Sequence, residues 1–168
     1  MIVVMAGLPG TGKSTVARSL AEEVGGVVLN KDHLRAELFS KEFVEYSTEQ
    51  DDFVQDLMLR TAEYLLKRYP KLIVFLDGRT FSRAYQIQRV IEAAEKLQTP
   101  WRIIECVCDE KIAQGRIENG KKHPAKNRTV ELYLKIRAEF EPIMRPKLVI
   151  DTGREMQASL DTARKHLT

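Results

Sequence analysis

This sequence has few cysteines, a small net charge and no long apolar run. Its 168 residues contain two cysteines and carry a net charge of +3. No apolar run approaches the roughly 20 residues of a membrane-spanning helix, and the first residues lack the basic segment of a signal peptide. The small positive charge permits a nucleic-acid partner without requiring one. We therefore expect a cytoplasmic protein with no membrane partner and no evident obligate protein partner.

The two cysteines, Cys106 and Cys108, are separated by a single residue. Positions i and i+2 of a strand share a face but rarely have the geometry of a disulfide. No second Cys or His pair has the spacing of a zinc site. We expect two free thiols, as is usual in a reducing cytosol.

Short apolar runs alternate with helical periodicities along the chain, whose length is typical of one domain, here residues 1–168. The predicted strands are 2–6, 27–29, 71–77, 101–108 and 147–151. The predicted helices are 13–24, a short one from about 32, 47–69, 84–97, one from 109, 130–140 and 156–167. This alternation predicts a five-stranded parallel sheet with helices on both faces, a three-layer α/β/α sandwich.

The segment GLPGTGKS, residues 7–14, matches the phosphate-binding pattern G-x-x-x-x-G-K-[ST] in full. It follows a predicted strand and precedes a predicted helix, which is the context that the motif requires. Glycines let successive N–H groups turn toward phosphate oxygens, and the helix N-terminus favours an anion. The predicted nucleotide-binding residues here are Gly7, Leu8, Pro9, Gly10, Thr11, Gly12, Lys13, Ser14 and Thr15.

Three side chains of this loop have separate expected tasks. Lys13 reaches the β- and γ-phosphates and acts in catalysis, Ser14 gives its hydroxyl to Mg²⁺, and Thr15 bonds the α-phosphate. We therefore expect a P-loop NTPase that binds ATP and Mg²⁺, with GTP also compatible. The motif does not separate a kinase from a switch, although the length of the chain argues against a motor.

The third predicted strand ends in Asp77 and continues as GRTFSR. Ligands of parallel sheets bind outside the carboxyl ends of the strands. We therefore expect Asp77 to hold Mg²⁺ through a water or to bind a substrate hydroxyl; the alternative is an Asp that caps the next helix. Arg79 and Arg83 indicate a second anion in the acceptor site, or are solvated helix charges.

The second predicted strand runs into NKDHLR, residues 30–35. A kinase with an alcohol acceptor needs a carboxylate that takes the hydroxyl proton and orients the oxygen toward the γ-phosphorus. Asp32 is placed for that task, and the alternative is again a helix cap. Arg35 lies one helical turn further on the same face, where a guanidinium binds a phosphate or carboxylate of the acceptor.

The polar, basic segment at 115–130 is expected to form a helical lid over the triphosphate. A solvated basic loop is the alternative. Arg116 and Arg128 are the candidates for the catalytic arginine, and Arg116 also for nucleotide binding. After the fifth strand, Thr152, Gly153 and Arg154 are expected to line the nucleotide base.

The chain resembles the small P-loop kinases of the polynucleotide kinase, zeta toxin and chloramphenicol phosphotransferase type, often described as AAA-type ATP-binding kinases. The likeness covers nearly the whole chain and rests on GLPGTGKST, NKDHLR, VFLDGRTFSR, GRIENGKKHPAKNR and VIDT. NKDHLR is similar to the N-R-D-x-x-R stretch of polynucleotide 5′-hydroxyl kinases. That implies a general base at Asp32 and an acceptor clamp at Arg35, and Asp77 matches the Asp that ends strand three in those enzymes.

The lid departs from that pattern. Polynucleotide kinase lids often carry two arginines one helical turn apart, whereas Arg116 is followed four residues later by Gly120 and then by Lys121 and Lys122. Either Arg116 or Arg128 therefore remains a candidate for the catalytic arginine.

Three functions stay open from the sequence. The first is a kinase for a polynucleotide 5′-hydroxyl, supported by Asp32 with Arg35 and by the basic residues Arg79, Arg83 and Arg89. Its expected base-stacking residues are Phe39, Phe43, Tyr46, Phe81 and Tyr85, and the alternative is that most of these aromatic side chains belong to the core. The second is a small-molecule kinase acting on a nucleoside, sugar, antibiotic or adenylylsulfate-like acceptor, which the mild net charge favours. The third is an ATP-dependent switch or binding module.

Overall fold

The computed structural model describes residues 1–120, 127 and 129–167. Its strands are β1 Ile2–Ala6, β2 Val27–Asn30, β3 Val74–Asp77, β4 Trp101–Val107 and β5 Leu148–Asp151. Its helices are α1 Lys13–Val24, α2 Lys31–Leu38, α3 Thr48–Arg68, α4 Ala84–Lys96, α5 Glu110–Asn119, α6 Val130–Glu139 and α7 Met156–Leu167. A short 3₁₀ helix, Lys41–Phe43, joins α2 to α3.

The five strands form one parallel sheet in the order β2-β3-β1-β4-β5. In the register of the central strands, Val4 of β1 lies opposite Leu76 of β3 and Ile103 of β4. Parallel strands need crossover connections, and the helices between them supply these connections and cover both faces. The predicted α/β/α sandwich with a five-stranded parallel sheet is therefore confirmed.

The side chains of β1 alternate between two apolar cores. Ile2, Val4 and Ala6 pack on one face against α3 and α4, and Val3 and Met5 pack on the other against α1 and α7. All five side chains are buried. Because β1 is packed on both faces, its carboxyl end is held rigidly, and the loop that follows it begins at a well-defined position at the carboxyl edge of the sheet.

A third, smaller cluster of buried side chains lies outside these two cores and joins α5 to α6. Ala113 and Ile117 of α5 contact Tyr133 of α6. The predicted lid, 115–130, begins inside α5, and most of its later part, including Lys121, Lys122 and Arg128, lies outside the described residues. Among the described residues, α5 precedes this segment in the chain and α6 follows it.

Element boundaries agree with the sequence predictions to within three residues, and β1, α1 and α7 match their predicted bounds. The third strand is the largest difference, since it starts at Val74 and not at Lys71. The Leu72 N–H bonds the Tyr69 carbonyl at 2.9 Å, so this stretch is still a turn that leaves α3. None of the helices described here is long and apolar enough to cross a bilayer.

Candidate active site

The loop between β1 and α1 folds tightly enough to require glycine. Gly7 has φ +131° and Gly10 has φ +82°. A Cβ on Gly7 would lie 2.2 Å from the Cys106 carbonyl oxygen, and one on Gly10 would lie 2.4 Å from that of Ala113. The loop is therefore pressed against both β4 and α5. The predicted phosphate-binding conformation follows from these two contacts together with the positive φ values.

The lysine of the loop turns back over it. Lys13 Nζ donates to the carbonyl oxygens of Gly7 at 2.9 Å and Leu8 at 2.8 Å. Gly12, with φ +80°, precedes Lys13 and provides the left-handed residue from which α1 starts. Backbone N–H groups at the first turn of α1 are thus available to phosphate oxygens, and Lys13 stands beside them.

One cleft of about 830 Å³ extends from this loop to the start of α2, where Asp32 and Arg35 lie. Its wall contains Lys13 and Ser14 on one side and Asp32 and Arg35 of α2 on the other. Thr15, Arg79, Arg83, Arg116 and Asn127 also line it. The structure therefore brings part of the predicted nucleotide-binding set, including Lys13, Ser14 and Thr15, into one cleft with four of the predicted acceptor-binding residues. The predicted site residues that are described here but do not line it are Gly7, Leu8, Thr11, Asp77, Thr152, Gly153 and Arg154.

Asp77 ends β3 directly before Gly78, which lines this cleft, and only 1% of the Asp77 surface is exposed. Its Oδ2 accepts a 2.6 Å hydrogen bond from Asn30 Nδ2, whereas its Oδ1 is buried and has no hydrogen-bond partner among the residues that the structure describes. A buried carboxylate oxygen without a donor is costly in protein. A water of the Mg²⁺ shell would satisfy it, so Ser14 and Asp77 fit the predicted magnesium site. The alternative that Asp77 caps a helix is not supported, because α4 begins at Ala84 after Arg83.

Asn30 also determines the position of Asp32. Its Oδ1 accepts from the N–H groups of Asp32 and His33, both at 3.0 Å, so Asn30 is the N-cap of α2. Asp32 is therefore not the cap that the sequence left as an alternative. Its carboxylate is held through Oδ1 by Lys31 at 3.2 Å and by Arg35 at 3.6 Å.

Lys31 was not identified from the sequence, although it lines the same cleft. Its side chain is 6% exposed and its Nζ also contacts Asp51 of α3 at 2.7 Å. Burial lowers the pKa of Lys31 to about 8, and the charge of Asp32 opposes that shift. Burial likewise lowers the pKa of Arg35, again opposed by Asp32.

Two of the three predicted acceptor arginines, Arg35 and Arg79, are buried and bound to acids of α3. Arg35 forms an ion pair with Asp51, and its guanidinium lies 5.2 Å from the centre of the Tyr46 ring. Arg79 Nη2 lies 2.6 Å from Asp52, and its Nη1 donates to Gln55 at 2.6 Å. Arg79 is 5% exposed, so it is not one of the solvated charges that the sequence left open. The two carboxylates were missed because they lie far along the chain from the arginines.

Arg83 stands at the rim and is partly exposed. Its Nη2 bonds Glu139 at 2.8 Å and its Nη1 bonds Glu141 at 3.5 Å. Glu141 also accepts from the Ala84 N–H at 2.7 Å. Arg83 therefore connects the start of α4 to the end of α6 at the mouth of the cleft.

Arg116 is anchored beside the phosphate loop. Its Nη1 donates to Thr152 Oγ1 and its Nη2 to the Thr152 carbonyl, both at 2.9 Å. Thr152 Oγ1 in turn donates to the Thr11 carbonyl at 2.9 Å. The structure thus joins Arg116 and Thr152 to the loop, while Gly153 and Arg154 are exposed, with Arg154 paired to Asp151.

Both thiols are free, as predicted. Cys106 is buried in β4, and burial raises its pKa to about 12. Cys108 is partly exposed and lies 4.0 Å from the Gly10 carbonyl. Neither thiol reaches the acceptor side of the cleft in the part of the chain described.

The parallel sheet, the glycine-bound loop at its central strand and the lysine at the start of α1 define a P-loop NTPase. Residues 2–143 match the family model described as AAA domain. That match covers most of the chain, and the protein belongs to the AAA domain family.

Several solved structures have the same fold over nearly the whole chain. Kti12 of Chaetomium thermophilum, solved in complex with ADP-AlF3, gives a TM-score of 0.76 at 15% identity over 99% of this chain and 97% of its own. The APS kinase CysC of Mycobacterium tuberculosis gives 0.70 at 17% identity over 99% and 95%. A gluconokinase from Sinorhizobium meliloti 1021 gives 0.66 at 18% identity over 99% and 94%. At these identities the likeness establishes the shared fold.

Proposed function

We propose that this protein is an ATP- and Mg²⁺-dependent kinase that transfers the γ-phosphate to a hydroxyl of an acceptor. The observation that carries the proposal is the single cleft that contains both Lys13 and Asp32. A carboxylate in the same cleft as the P-loop lysine can take the proton of an acceptor hydroxyl, a task that a switch does not have. Kinases among the structures of the same fold, including the APS kinase solved with AMPPNP and APS, support the same class of reaction.

In the proposed reaction, Asp32 takes the proton of the acceptor hydroxyl. Its Oδ1 is held by Lys31 and Arg35, and we assign Oδ2 to the proton. The acceptor oxygen forms a bond to the γ-phosphorus while the bond between that phosphorus and the β–γ bridging oxygen breaks, and ADP leaves. Lys13 neutralises charge on the transferring group. Mg²⁺, when held through Ser14 and the water shell at Asp77, supplies further charge neutralisation on the β- and γ-oxygens.

The size and mixed charge of the cleft favour a small-molecule acceptor. On the acceptor side, four basic side chains are matched by four acidic ones: Lys31, Arg35, Arg79 and Arg83 against Asp32, Asp51, Glu139 and Glu141. The positive excess of the whole lining comes from the remaining basic residues, Lys13, Arg18, Arg116 and Lys135. A surface that binds a polynucleotide backbone presents an excess of positive charge. The small-molecule acceptor, the second candidate from the sequence, is therefore the class that we favour.

A polynucleotide 5′-hydroxyl is a second candidate acceptor, and one observation favours it. Tyr46 and Tyr85 both line the cleft and are partly exposed, which suits stacking with bases. The resemblance of NKDHLR to polynucleotide kinases points the same way. Steep loss of acceptor affinity with rising salt would support this candidate, because binding to a nucleic-acid backbone releases counterions.

The test is transfer of labelled γ-phosphate from ATP to a panel of 5′-hydroxyl RNA, nucleosides, sugars, polyols and hydroxylated antibiotics. We expect Asp32→Asn to lower transfer by at least about 100-fold while nucleotide binding is retained. Glu37→Gln is the matched control, since Glu37 lies exposed on the same helix. Full transfer in Asp32→Asn, or nucleotide binding with no transfer to any acceptor, would contradict the proposal.

A further inference from the structure

The arginines on the acceptor side of the cleft have their charges balanced within the protein. We use the name acceptor wall for the face of the cleft formed by Lys31, Asp32, Arg35, Asp51 and Arg79. Arg35 is 3% exposed and Arg79 is 5% exposed, and α3 supplies a carboxylate to each. Neither guanidinium therefore offers an unmatched charge to a ligand.

The balance extends through the whole ion-pair network behind the wall. Its cations are Lys31, Arg35, Arg79 and Arg89. Its carboxylates are Asp32, Asp51, Asp52 and Asp56. Four positive charges therefore face four negative ones. At the rim, Arg83 faces two carboxylates, so the rim adds no positive excess.

An anionic acceptor would disturb this balance beside two guanidinium groups that are almost fully buried. Its carboxylate or phosphate would either lie beside Asp51 and Asp52 or displace them from the arginines. The first arrangement brings like charges together, and the second leaves a carboxylate without its cation. A neutral ligand incurs neither cost.

Hydrogen-bonding capacity nevertheless remains in the wall. The Nε atoms of Arg35 and Arg79 are buried and have no partner among the described residues. A buried donor without an acceptor is unfavourable. Both Nε atoms are covered by the protein itself, so they lie out of a ligand's reach in this arrangement. The Asp32 and Asp51 carboxylates are partly exposed and accept hydrogen bonds from hydroxyl groups without a change in net charge. The wall thus suits a ligand rich in hydroxyl groups.

We propose that Asp51 and Asp52 set the charge of the acceptor, which is a neutral small molecule bearing several hydroxyl groups, of the polyol class. Acceptors with a carboxylate or phosphate at the wall are rejected. This inference deepens the proposed function and rests on it. A purely structural role is the competing explanation, because both aspartates lie near the N-terminus of α3, where carboxylates stabilise a helix.

The first test measures anion binding and needs no phosphate transfer. The full chain is saturated with AMPPNP and Mg²⁺ to fill the phosphate loop, and inorganic sulfate is titrated by calorimetry. We expect negligible sulfate binding by the wild-type protein and a gain of at least about tenfold in sulfate affinity in Asp51→Asn and Asp52→Asn, whose arginines lose a carboxylate. Glu49→Gln is the control, since Glu49 is an exposed acid in the same first turn of α3.

The outcomes of this test separate the two explanations. Unchanged sulfate affinity in folded Asp51→Asn and Asp52→Asn assigns the aspartates to helix stability alone and overturns the inference. Tight sulfate binding by the AMPPNP-bound wild type also overturns the inference. This measurement uses only the wild-type protein, so it does not depend on whether a variant folds. Neither result depends on transfer, so each stands apart from the Asp32→Asn test of the proposed function.

The second test compares two acceptors of one carbon skeleton, the neutral D-glucitol and the anionic D-gluconate, by their calorimetric affinity for the protein saturated with AMPPNP and Mg²⁺ and as phosphate acceptors. We expect the wild type to favour the neutral compound by at least about tenfold, and Asp51→Asn to reduce or reverse that ratio. A wild-type preference for gluconate, or for a 5′-hydroxyl RNA, would overturn the inference and leave the kinase proposal in place.

Discussion

Asn30 Nδ2 donates a 2.6 Å hydrogen bond to Asp77 Oδ2, and the Oδ1 of the same asparagine caps α2. One side chain thus joins the carboxyl ends of β2 and β3 and also fixes the first turn of the helix that carries Asp32. The proposed base and the proposed magnesium carboxylate are therefore positioned by a common residue.

Replacement of that residue should destabilise the fold and the site together. Asn30→Ala removes the helix cap, which is worth about 1 kcal/mol, and leaves the buried Asp77 carboxylate with one hydrogen bond fewer, which adds about 1–3 kcal/mol. Urea unfolding measures the sum. Ser47→Ala is the control, since it removes the cap of α3, where the Ser47 hydroxyl accepts from the Gln50 N–H at 3.1 Å, and otherwise only an exposed hydrogen bond to Glu45. Equal losses in the two variants would show that the bond to Asp77 contributes nothing.

The contact of the phosphate loop with α5 gives a second prediction. Gly10→Ala places a Cβ 2.4 Å from the Ala113 carbonyl oxygen at a positive φ, so the loop must move and nucleotide affinity should fall by at least about tenfold. Gly25→Ala is the matched control, because Gly25 also has a positive φ but open space around it. We expect that control to lose about 1 kcal/mol of stability and no nucleotide affinity. Calorimetric titration with ATP and Mg²⁺ decides between them.

Arg116 should act in nucleotide binding and not in the transfer step. Its guanidinium is held by two hydrogen bonds to Thr152 beside the loop, so Arg116→Ala should raise KM for ATP about tenfold with little change in kcat. Thr152→Val, which removes one of these bonds and the bond to Thr11, should give a smaller change of the same kind. A fall in kcat at unchanged KM would instead identify Arg116 as the catalytic arginine.

Lys31 should set the alkaline limit of activity. Because burial lowers its pKa to about 8, it loses its positive charge as the pH rises through about 8, whereas an exposed lysine stays charged to 10.5. The groups that face it are Asp32, Asp51, Arg35 and Arg79, so its neutral form no longer holds the two carboxylates. We expect kcat/KM to decline above pH 8 in the wild type.

The pH profile of Lys31→Arg provides the comparison. Arginine stays protonated in this range, so the alkaline decline should move to higher pH if the variant is active at neutral pH. An alkaline limb at the same pH in both proteins would assign that limb to another group.

The sequence predicted the phosphate loop and the positions of Asp32 and Asp77 because each depends on local features. A glycine-rich turn, a following helix and the last residue of an apolar strand are visible within a few residues. The parallel sheet then follows from the alternation of strands and helices, since parallel strands place their carboxyl ends at one edge. Element boundaries were less certain, as the late start of β3 shows, because apolarity continues through the turn before it.

What only the tertiary structure decided is which charges face each other. The sequence shows Arg35 and Arg79 as available cations, and folding places Asp51 and Asp52 of α3 against them. From the sequence, Asp32 is a candidate helix cap, but in the folded protein Asn30 caps α2. The same Asn30 side chain bonds Asp77, which lies 47 residues further along the chain. Ion pairs and hydrogen bonds between separate elements have no periodicity along the chain, so they depend on how helices pack on the sheet. The sequence by itself therefore determined the nucleotide loop and the class of fold, and packing determined the charge of the acceptor side.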